Sequence, residues 1–179
     1  IGIYLSLYTG IRLGELCALR WEKIDLNERQ LDIHKTMMRI RDYSVDSDRK
    51  TKVVETPPKS ACAVRTIPIP DFLLCLLRDR SAGMTGQEYL LTGRADQYME
   101  PRLVEYHFQK IVKRLGINNA HFHCLRHTFA TRCVEAGFDV KTLSVILGHA
   151  AVQMTMNRYV HPTIDMKRTN MERLRQAAI

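Results

Sequence analysis

The spacing of apolar residues predicts strands in the middle of this chain and helices on either side of it. Residues 30–39 alternate apolar and polar positions with a period of two, which is typical of a half-exposed strand. Residues 52–56 and 64–69 predict two further strands, the last one bounded by prolines. We therefore expect a small three-stranded antiparallel sheet.

Elsewhere the apolar residues recur at the three- and four-residue spacing of helices. The predicted helices cover residues 1–8, 12–19, 71–80, 101–115, 123–136, 140–147, 152–160 and 163–178. The predicted fold class is mainly α with a small three-stranded antiparallel β-sheet, an α+β arrangement.

The length and net charge of the chain limit the classes of protein to which it can belong. With 179 residues, 45% of them hydrophobic, the chain can bury a substantial core and is expected to form one domain. Its net charge of +8 is what a nucleic-acid-binding protein would carry. Half of that excess lies in residues 121–179, which hold eight Lys or Arg and four Asp or Glu.

Cysteine usage and hydropathy exclude two classes of protein. The five cysteines are odd in number and form no Cys-x-x-Cys pair, which argues against a secreted disulfide framework and favours a reducing cytoplasm. No apolar run reaches the roughly 20 residues of a membrane-spanning helix. Because the chain opens without Met in apparent helix interior, we expect it to be a fragment of a longer protein.

Imidazole, guanidinium and phenol side chains follow one another near the end of the chain. On a helix, His123, Arg126 and His127 share one face, because residues three and four apart are neighbours. His149 follows Leu-Gly, and Tyr159 comes ten residues later. Several cations on one face are costly unless an anion lies opposite. This set predicts a phosphate-binding site beside a phenol.

A second part of this site is predicted near the start of the chain. Arg12 follows Thr-Gly at a helix start, where backbone N–H groups favour anions, and Glu15 is placed to hold its guanidinium. In an arbitrary protein Arg12 and Glu15 would be an ordinary surface pair, with His123 a helix cap and Arg126 paired to a carboxylate. Because all of these residues occur in one chain, an anion-binding site is favoured over these ordinary roles. With no paired-cysteine spacing, we predict no metal and no cofactor.

Three segments of the sequence resemble one known family. The run Thr9-Gly-Ile-Arg-Leu-Gly-Glu resembles the first signature of the tyrosine recombinases, or phage integrases. The second signature is similar to His123-x-x-Arg-His, Leu147-Gly-His and the tyrosine segment. Pro58-Lys-Ser followed by residues 64–68 looks like the family's lysine hairpin. The resemblance covers residues 9–161 and is greatest to integrases of conjugative transposons.

The resemblance implies a role for each site residue. Tyr159 would be the nucleophile, and His123 could accept the proton that the tyrosine releases. Glu15 would orient Arg12. The implied catalytic residues are Arg12, Lys59, His123, Arg126, His149 and Tyr159. Lys59 would be the general acid, with Lys52 on the neighbouring strand as the alternative.

The same resemblance implies no catalytic role for two residues near this site. His127 falls outside the family's catalytic set and is expected to make a helix or backbone contact. Cys124 stands where the family commonly has Asp, and we expect it to be buried and inert.

The implied activity is cleavage and rejoining of DNA through a 3′-phosphotyrosine intermediate, for integration and excision of a mobile element. The implied partners are double-stranded DNA at attachment sites, a tetramer of the protein itself, and accessory DNA-bending or directionality proteins, in the cytoplasm near the nucleoid. Residues 1–179 would form a single catalytic domain whose helix 163–178 packs in trans. A type IB topoisomerase, a Xer-like resolution enzyme and a non-catalytic DNA-binding module remain alternatives.

Overall fold

The computed structural model describes residues 1–43, 50–58, 60–160, 164, 167–168 and 171–172. The helices are α1 (Gly2–Thr9), α2 (Leu13–Ala18), α3 (Asp71–Ser81), α4 (Pro101–Arg114), α5 (His123–Glu135), α6 (Val140–Leu147) and α7 (Val152–Tyr159). The strands are β1 (Ile24–Asp25), β2 (Gln30–Ile33), β3 (Thr36–Arg41), β4 (Thr51–Thr56) and β5 (Arg65–Pro68). Short 3-10 helices cover Trp21–Lys23 and Ala61–Ala63.

The predicted fold class, mainly α with a small three-stranded antiparallel β-sheet, is confirmed, and the described structure adds a two-stranded sheet. The predicted helix 163–178 lies for the most part outside the described residues, so its packing in trans stays a prediction. None of the helices in the described part of the chain combines the length and the apolar character that crossing a bilayer requires.

The strands are arranged differently from the prediction. The three-stranded sheet has the order β1-β2-β5, and β4 pairs instead with β3 in a separate two-stranded sheet, with all pairs antiparallel. The single strand predicted over residues 30–39 is therefore wrong, because the chain leaves one sheet at Ile33 and enters the other at Thr36. Lys35 marks the break, since it places a charge where the alternation calls for an apolar side chain.

Packing of α2 against β3 explains this break. The helix approaches so closely that a Cβ on Gly14 would lie 2.5 Å from the carbonyl oxygen of Met37. Met37 is buried there, whereas Leu31 and Ile33 are buried in the three-stranded sheet. The two halves of the predicted strand thus bury their apolar faces against different neighbours.

A large core joins the sheet to helices α1–α4, and a smaller one lies between α5 and α6. The large core includes Leu5, Leu16, Leu31 and Leu73, all fully buried, and each such side chain contributes about 1.5–3 kcal/mol. The smaller core comprises Ala130, Cys133, Leu143 and Leu147, and Tyr159 packs against it. The end of α7 is therefore held against α5 and α6.

Two glycines end the helices that border the site. Gly10 follows α1 and Gly148 follows α6, with φ of 64° and 62°, the left-handed conformation that glycine adopts without steric cost. A Cβ on Gly10 would meet the Phe129 ring at 2.6 Å. A Cβ on Gly148 would lie 3.0 Å from Arg65 Cδ and 3.1 Å from the Cys62 carbonyl oxygen. Both positions thus require glycine for the backbone angle and for space.

We predict that Gly10→Ala destabilises the fold much more than Gly83→Ala. Both glycines have a positive φ, but a Cβ on Gly83 would meet nothing within 4 Å. The control should lose about 1–2 kcal/mol from backbone strain. Gly10→Ala should lose about 1–3 kcal/mol more from overpacking, measured as the free energy of urea unfolding. Equal losses would show that Phe129 adapts without cost.

Candidate active site

The carbonyl groups at two helix ends hold two guanidinium groups. Arg126 is buried and donates from Nη1 to the Gly10 carbonyl at 2.6 Å and from Nη2 to the Leu147 carbonyl at 2.5 Å. Arg12 donates from Nη2 to the Gly148 carbonyl at 2.9 Å. The C-terminal end of a helix carries partial negative charge and so favours cations. The ends of α1 and α6 therefore fix both arginines side by side.

The carboxylate of Glu15 joins Arg12 to a third arginine. Its oxygens accept from Arg12 Nη1 at 2.8 Å and from the Arg12 backbone N–H at 2.9 Å. They also accept from both terminal nitrogens of Arg65, at 3.0 and 2.9 Å. Burial alone would raise the pKa of Glu15, but the hydrogen bonds and charges of Arg65 and Arg12 lower it overall. Glu15 is therefore a buried anion that orients two cations.

Arg65 was missed by the sequence reasoning. Its side chain points to the core face of β5, as that of Ile67 does, and Nε donates to the Ile146 carbonyl at 2.6 Å. The available signal was a charged residue at an inward position of an alternating strand. Arg65 thus ties the strand after the predicted lysine hairpin to both Glu15 and α6.

His149 lies between Arg126 and α7. Its Nε2 is 3.0 Å from Arg126 Nη2, and its Nδ1 is 2.8 Å from the hydroxyl of Thr155, which is fully buried. Burial, together with the charges of Arg126 and Arg12, lowers the pKa of His149 to about 4. Burial and the neighbouring Arg12 likewise lower the pKa of Arg126 to about 9. Near neutral pH the imidazole is uncharged and the guanidinium remains charged.

Tyr159 is the last residue of α7, and its hydroxyl contacts His127. The phenol oxygen lies 2.7 Å from His127 Nδ1, and the other ring nitrogen, Nε2, lies 3.2 Å from Nη2 of Arg158. Burial raises the pKa of Tyr159, while the charges of Arg126 and Arg158 oppose that rise. The expectation that His127 makes only a helix or backbone contact is therefore wrong. Its place one turn after His123 was the signal.

His123 begins α5 and is exposed. Its ring packs edge-on against His127, with centroids 4.6 Å apart. Partial removal of the ring from water, together with His127 and Arg126, lowers the pKa of His123 to about 4. Of these two imidazoles, it is His127 that hydrogen-bonds the phenol.

The predicted lysines and Cys124 are placed as follows. Lys59 lies outside the described residues, so its role stays a prediction. The alternative, Lys52, has its ammonium 3.2 Å from an Asp42 carboxylate oxygen on the β3–β4 hairpin. Cys124 is only half-buried, with Sγ 3.0 Å from Nδ1 of His121. The expectation of a buried cysteine is therefore wrong.

The assembled site carries more positive than negative charge. In the part of the chain that the structure describes, the hydrogen-bond partners of Arg12, Arg65 and Arg126 include a single carboxylate, that of Glu15. Arg12 keeps a third of its side chain exposed. The arrangement therefore offers fixed donors and excess positive charge to an anion. The charge of Arg126 also acts on the Tyr159 phenol.

Residues 2–165 match the sequence profile of the phage integrase family. The chain belongs to the phage integrase family. The resemblance seen in the sequence motifs is confirmed. The match covers every residue named in the site above.

Curated relatives of this integrase-family chain are tyrosine recombinases. A XerC-like tyrosine recombinase of Caldanaerobacter subterraneus subsp. tengcongensis is 29% identical over 180 residues, covering 93% of this chain and 46% of the relative. XerC of Xanthomonas campestris pv. campestris is 26% identical, covering 82% and 39%. The chain thus spans less than half the length of these relatives.

Solved structures of integrases and recombinases share the fold. The Tn1549 transposon integrase in complex with circular intermediate DNA superimposes with a TM-score of 0.75 at 28% identity, covering 96% of this chain and 58% of the other. The crystal structure of XerA recombinase gives a TM-score of 0.63 at 26% identity, covering 97% and 57%.

We predict that Arg65→Met destabilises this integrase-family chain by about 3–5 kcal/mol, because it leaves the Glu15 carboxylate buried with one partner fewer. The matched control is Arg29→Met, which removes an exposed pair with Asp71 and should cost no more than about 1 kcal/mol. Urea unfolding measures both. In the Arg65→Met background, Glu15→Gln should recover part of the loss. Equal costs for the two arginines would contradict the buried-pair account.

We also predict that stability falls as pH is lowered from about 7 towards 4. The pKa values of His123 and His149 drop from 6.5 to about 4 on folding, so the unfolded chain binds more protons in this window. Thermal unfolding midpoints from pH 4.5 to 7.5 should show a smaller slope in His149→Asn. His107→Asn, at an exposed position on α4, should keep the full slope. An unchanged slope in His149→Asn would contradict the neutral, buried imidazole.

Proposed function

We propose that this chain is the catalytic part of a DNA strand-transferase that cuts and rejoins DNA through Tyr159. The observation that carries the proposal is the fixed pair Arg12 and Arg126, which one carboxylate only partly neutralises, together with the charge of Arg126 acting on the Tyr159 phenol. The likeness to tyrosine recombinases over nearly the whole chain supports it.

In the proposed reaction the Tyr159 oxygen bonds to a DNA phosphorus while the bond from phosphorus to the 5′-oxygen breaks. The phenol gives up its proton, and the departing 5′-oxygen gains one. The product is a 3′-phosphotyrosine, which keeps the bond energy for rejoining, so neither ATP nor a cofactor is consumed. Attack of a 5′-hydroxyl on the phosphotyrosine reverses each step.

Each site residue has a proposed part in this exchange. Arg12 and Arg126 donate to the equatorial oxygens, whose negative charge grows in the transition state. Glu15 keeps Arg12 in place. His123 and His149 add hydrogen bonds to the same oxygens, and Lys59 is proposed as the general acid for the 5′-oxygen.

The proposed substrate is double-stranded DNA, and the proposed biological reaction is integration and excision of a mobile element. The net charge of +8 supports a DNA partner. The Tn1549 integrase structures hold circular intermediate DNA or transposon right end DNA, which supports the mobile-element role. A tetramer on DNA, accessory DNA-bending or directionality proteins and a cytoplasmic location at the nucleoid belong to the same proposal.

A Xer-like role in chromosome resolution is a second candidate, supported by the identity to XerC proteins. The two roles differ in substrate. Covalent trapping on a DNA joint cut from the ends of a mobile element would favour integration, and trapping on a chromosomal resolution site would favour the second. Relaxation of supercoiled plasmid without strand exchange would favour a topoisomerase.

We predict that a nicked suicide DNA substrate traps a covalent complex, and that Tyr159→Phe abolishes it. Tyr106→Phe, at an exposed tyrosine on α4, is the matched control and should trap fully. Arg126→Lys should slow trapping about 10²–10³-fold, because a lysine loses the fixed donors. Gels resolve the complex, and EDTA should not change it.

Two results would overturn parts of this proposal. Trapping by Tyr159→Phe would assign the nucleophile elsewhere. DNA binding without trapping by the unsubstituted chain on any substrate would favour the non-catalytic DNA-binding module.

A further inference from the structure

The partners of the two His127 ring nitrogens determine which nitrogen donates a hydrogen bond and which accepts one. Nε2 faces a guanidinium nitrogen of Arg158 at 3.2 Å, and Nδ1 faces the Tyr159 oxygen at 2.7 Å. A guanidinium nitrogen only donates, so Nε2 must accept and carries no proton. The single proton of a neutral imidazole then lies on Nδ1 and points to the phenol oxygen.

We propose that His127 is a hydrogen-bond donor to the Tyr159 oxygen, with Arg158 fixing the required tautomer, and that it stabilises the phenolate rather than acting as its base. The proposal deepens the proposed function and rests on it where catalysis is concerned. The donor serves cleavage, in which the phenolate attacks, and rejoining, in which the phenolate leaves.

The surroundings of His127 are opposite to those of a general-base histidine. A base imidazole holds its second N–H against an acceptor, as the carboxylate does in a serine-histidine-aspartate triad. Here an arginine donor occupies that position. The charged or titratable groups that act on His127 in the described part of the chain are Arg158 from α7, Arg126 and His123 from α5, and His121 just before α5. No carboxylate is among them, so an imidazolium would lack a partner.

Proton and bond changes balance without His127 changing protonation. The phenol proton leaves to solvent or to His123, and Nδ1–H continues to donate to the oxygen that becomes negative. When that oxygen bonds to phosphorus it becomes a weaker acceptor, and the His127 bond weakens. When the bond to phosphorus breaks in rejoining, the charge returns and the hydrogen bond strengthens. His127 is therefore a donor to a reacting atom throughout.

The first test reads the tautomer and the phenol in the full 179-residue chain without DNA. Nitrogen-15 NMR of the imidazoles should show His127 protonated at Nδ1 and bare at Nε2. Carbon-13 NMR of tyrosines labelled at Cζ, assigned with Tyr159→Phe, should place the Tyr159 titration at least one pH unit higher in His127→Leu. His127→Asn, whose amide can donate from the position of Nδ1, should restore most of that shift. His121→Leu, the matched control at a neighbouring imidazole, should leave it unchanged.

A proton on Nε2, or a Tyr159 titration that does not move in His127→Leu, would overturn the proposal. Because neither measurement involves cleavage, each remains decisive if the chain proves not to cut DNA. Circular dichroism of each variant verifies folding. Should His127→Leu not fold, the tautomer of the unsubstituted chain decides the question, because a proton on Nε2 would still overturn the proposal.

The second test uses single-turnover cleavage of the suicide substrate from pH 6 to 10. A phenolate donor predicts that His127→Leu shifts the rise of the rate with pH, which follows ionisation of the Tyr159 phenol, to higher pH. Cleavage at pH 7 should slow about tenfold or more, since one pKa unit is a factor of ten. His127→Asn should stay within about threefold of the unsubstituted chain, less than half a pKa unit. Loss, in both variants, of a rise in rate that follows an imidazole rather than the phenol would instead make His127 the base and overturn the donor role.

Discussion

The candidate site depends on two guanidinium groups held by the carbonyl ends of helices that are far apart in the chain. Arg126 of α5 is bound by the end of α1, and Arg12 at the start of α2 is bound by the turn after α6. Cations placed together repel one another, so each needs fixed acceptors. The C-terminal carbonyls of two helices supply them without adding a full negative charge. The excess positive charge is thus retained for an anion.

The rest of the site follows from this constraint. One carboxylate, Glu15, is shared between Arg12 and Arg65, which keeps the cations oriented but does not neutralise them. Burial and the positive surroundings also keep His149 uncharged near neutral pH, so it contributes hydrogen bonds rather than a further charge. Donors fixed before substrate arrives require little reorganisation during reaction, which is the main physical advantage of such a site. Burial raises the pKa of the Tyr159 phenol, so its ionisation depends on neighbouring cations and donors.

The helices up to residue 160 were predicted to within a few residues, because their apolar spacing and terminal glycines are local signals. The strand over residues 30–39 was predicted wrongly, because the alternation is interrupted only at Lys35, resumes at Met37, and does not itself show which sheet the later residues join. Packing of α2 against Met37 decides that choice, and it involves residues more than 20 positions away. Cys124 was expected to be buried on the average behaviour of cysteine, although at the start of α5 it lies partly in solvent.

The sequence by itself determined the family, the fold class and the residue types of the site, because its motifs pair specific side chains at fixed local spacings. It could not determine which groups form hydrogen bonds and ion pairs with these side chains. Arg65 meets Glu15 across 50 positions, and His127 meets Tyr159 across 32. Hydrogen-bond polarity depends on which donor faces which acceptor, and only the packing of α5 against α7 places Arg158 on one nitrogen of His127 and the phenol on the other. Tertiary structure therefore decided the roles of these two residues.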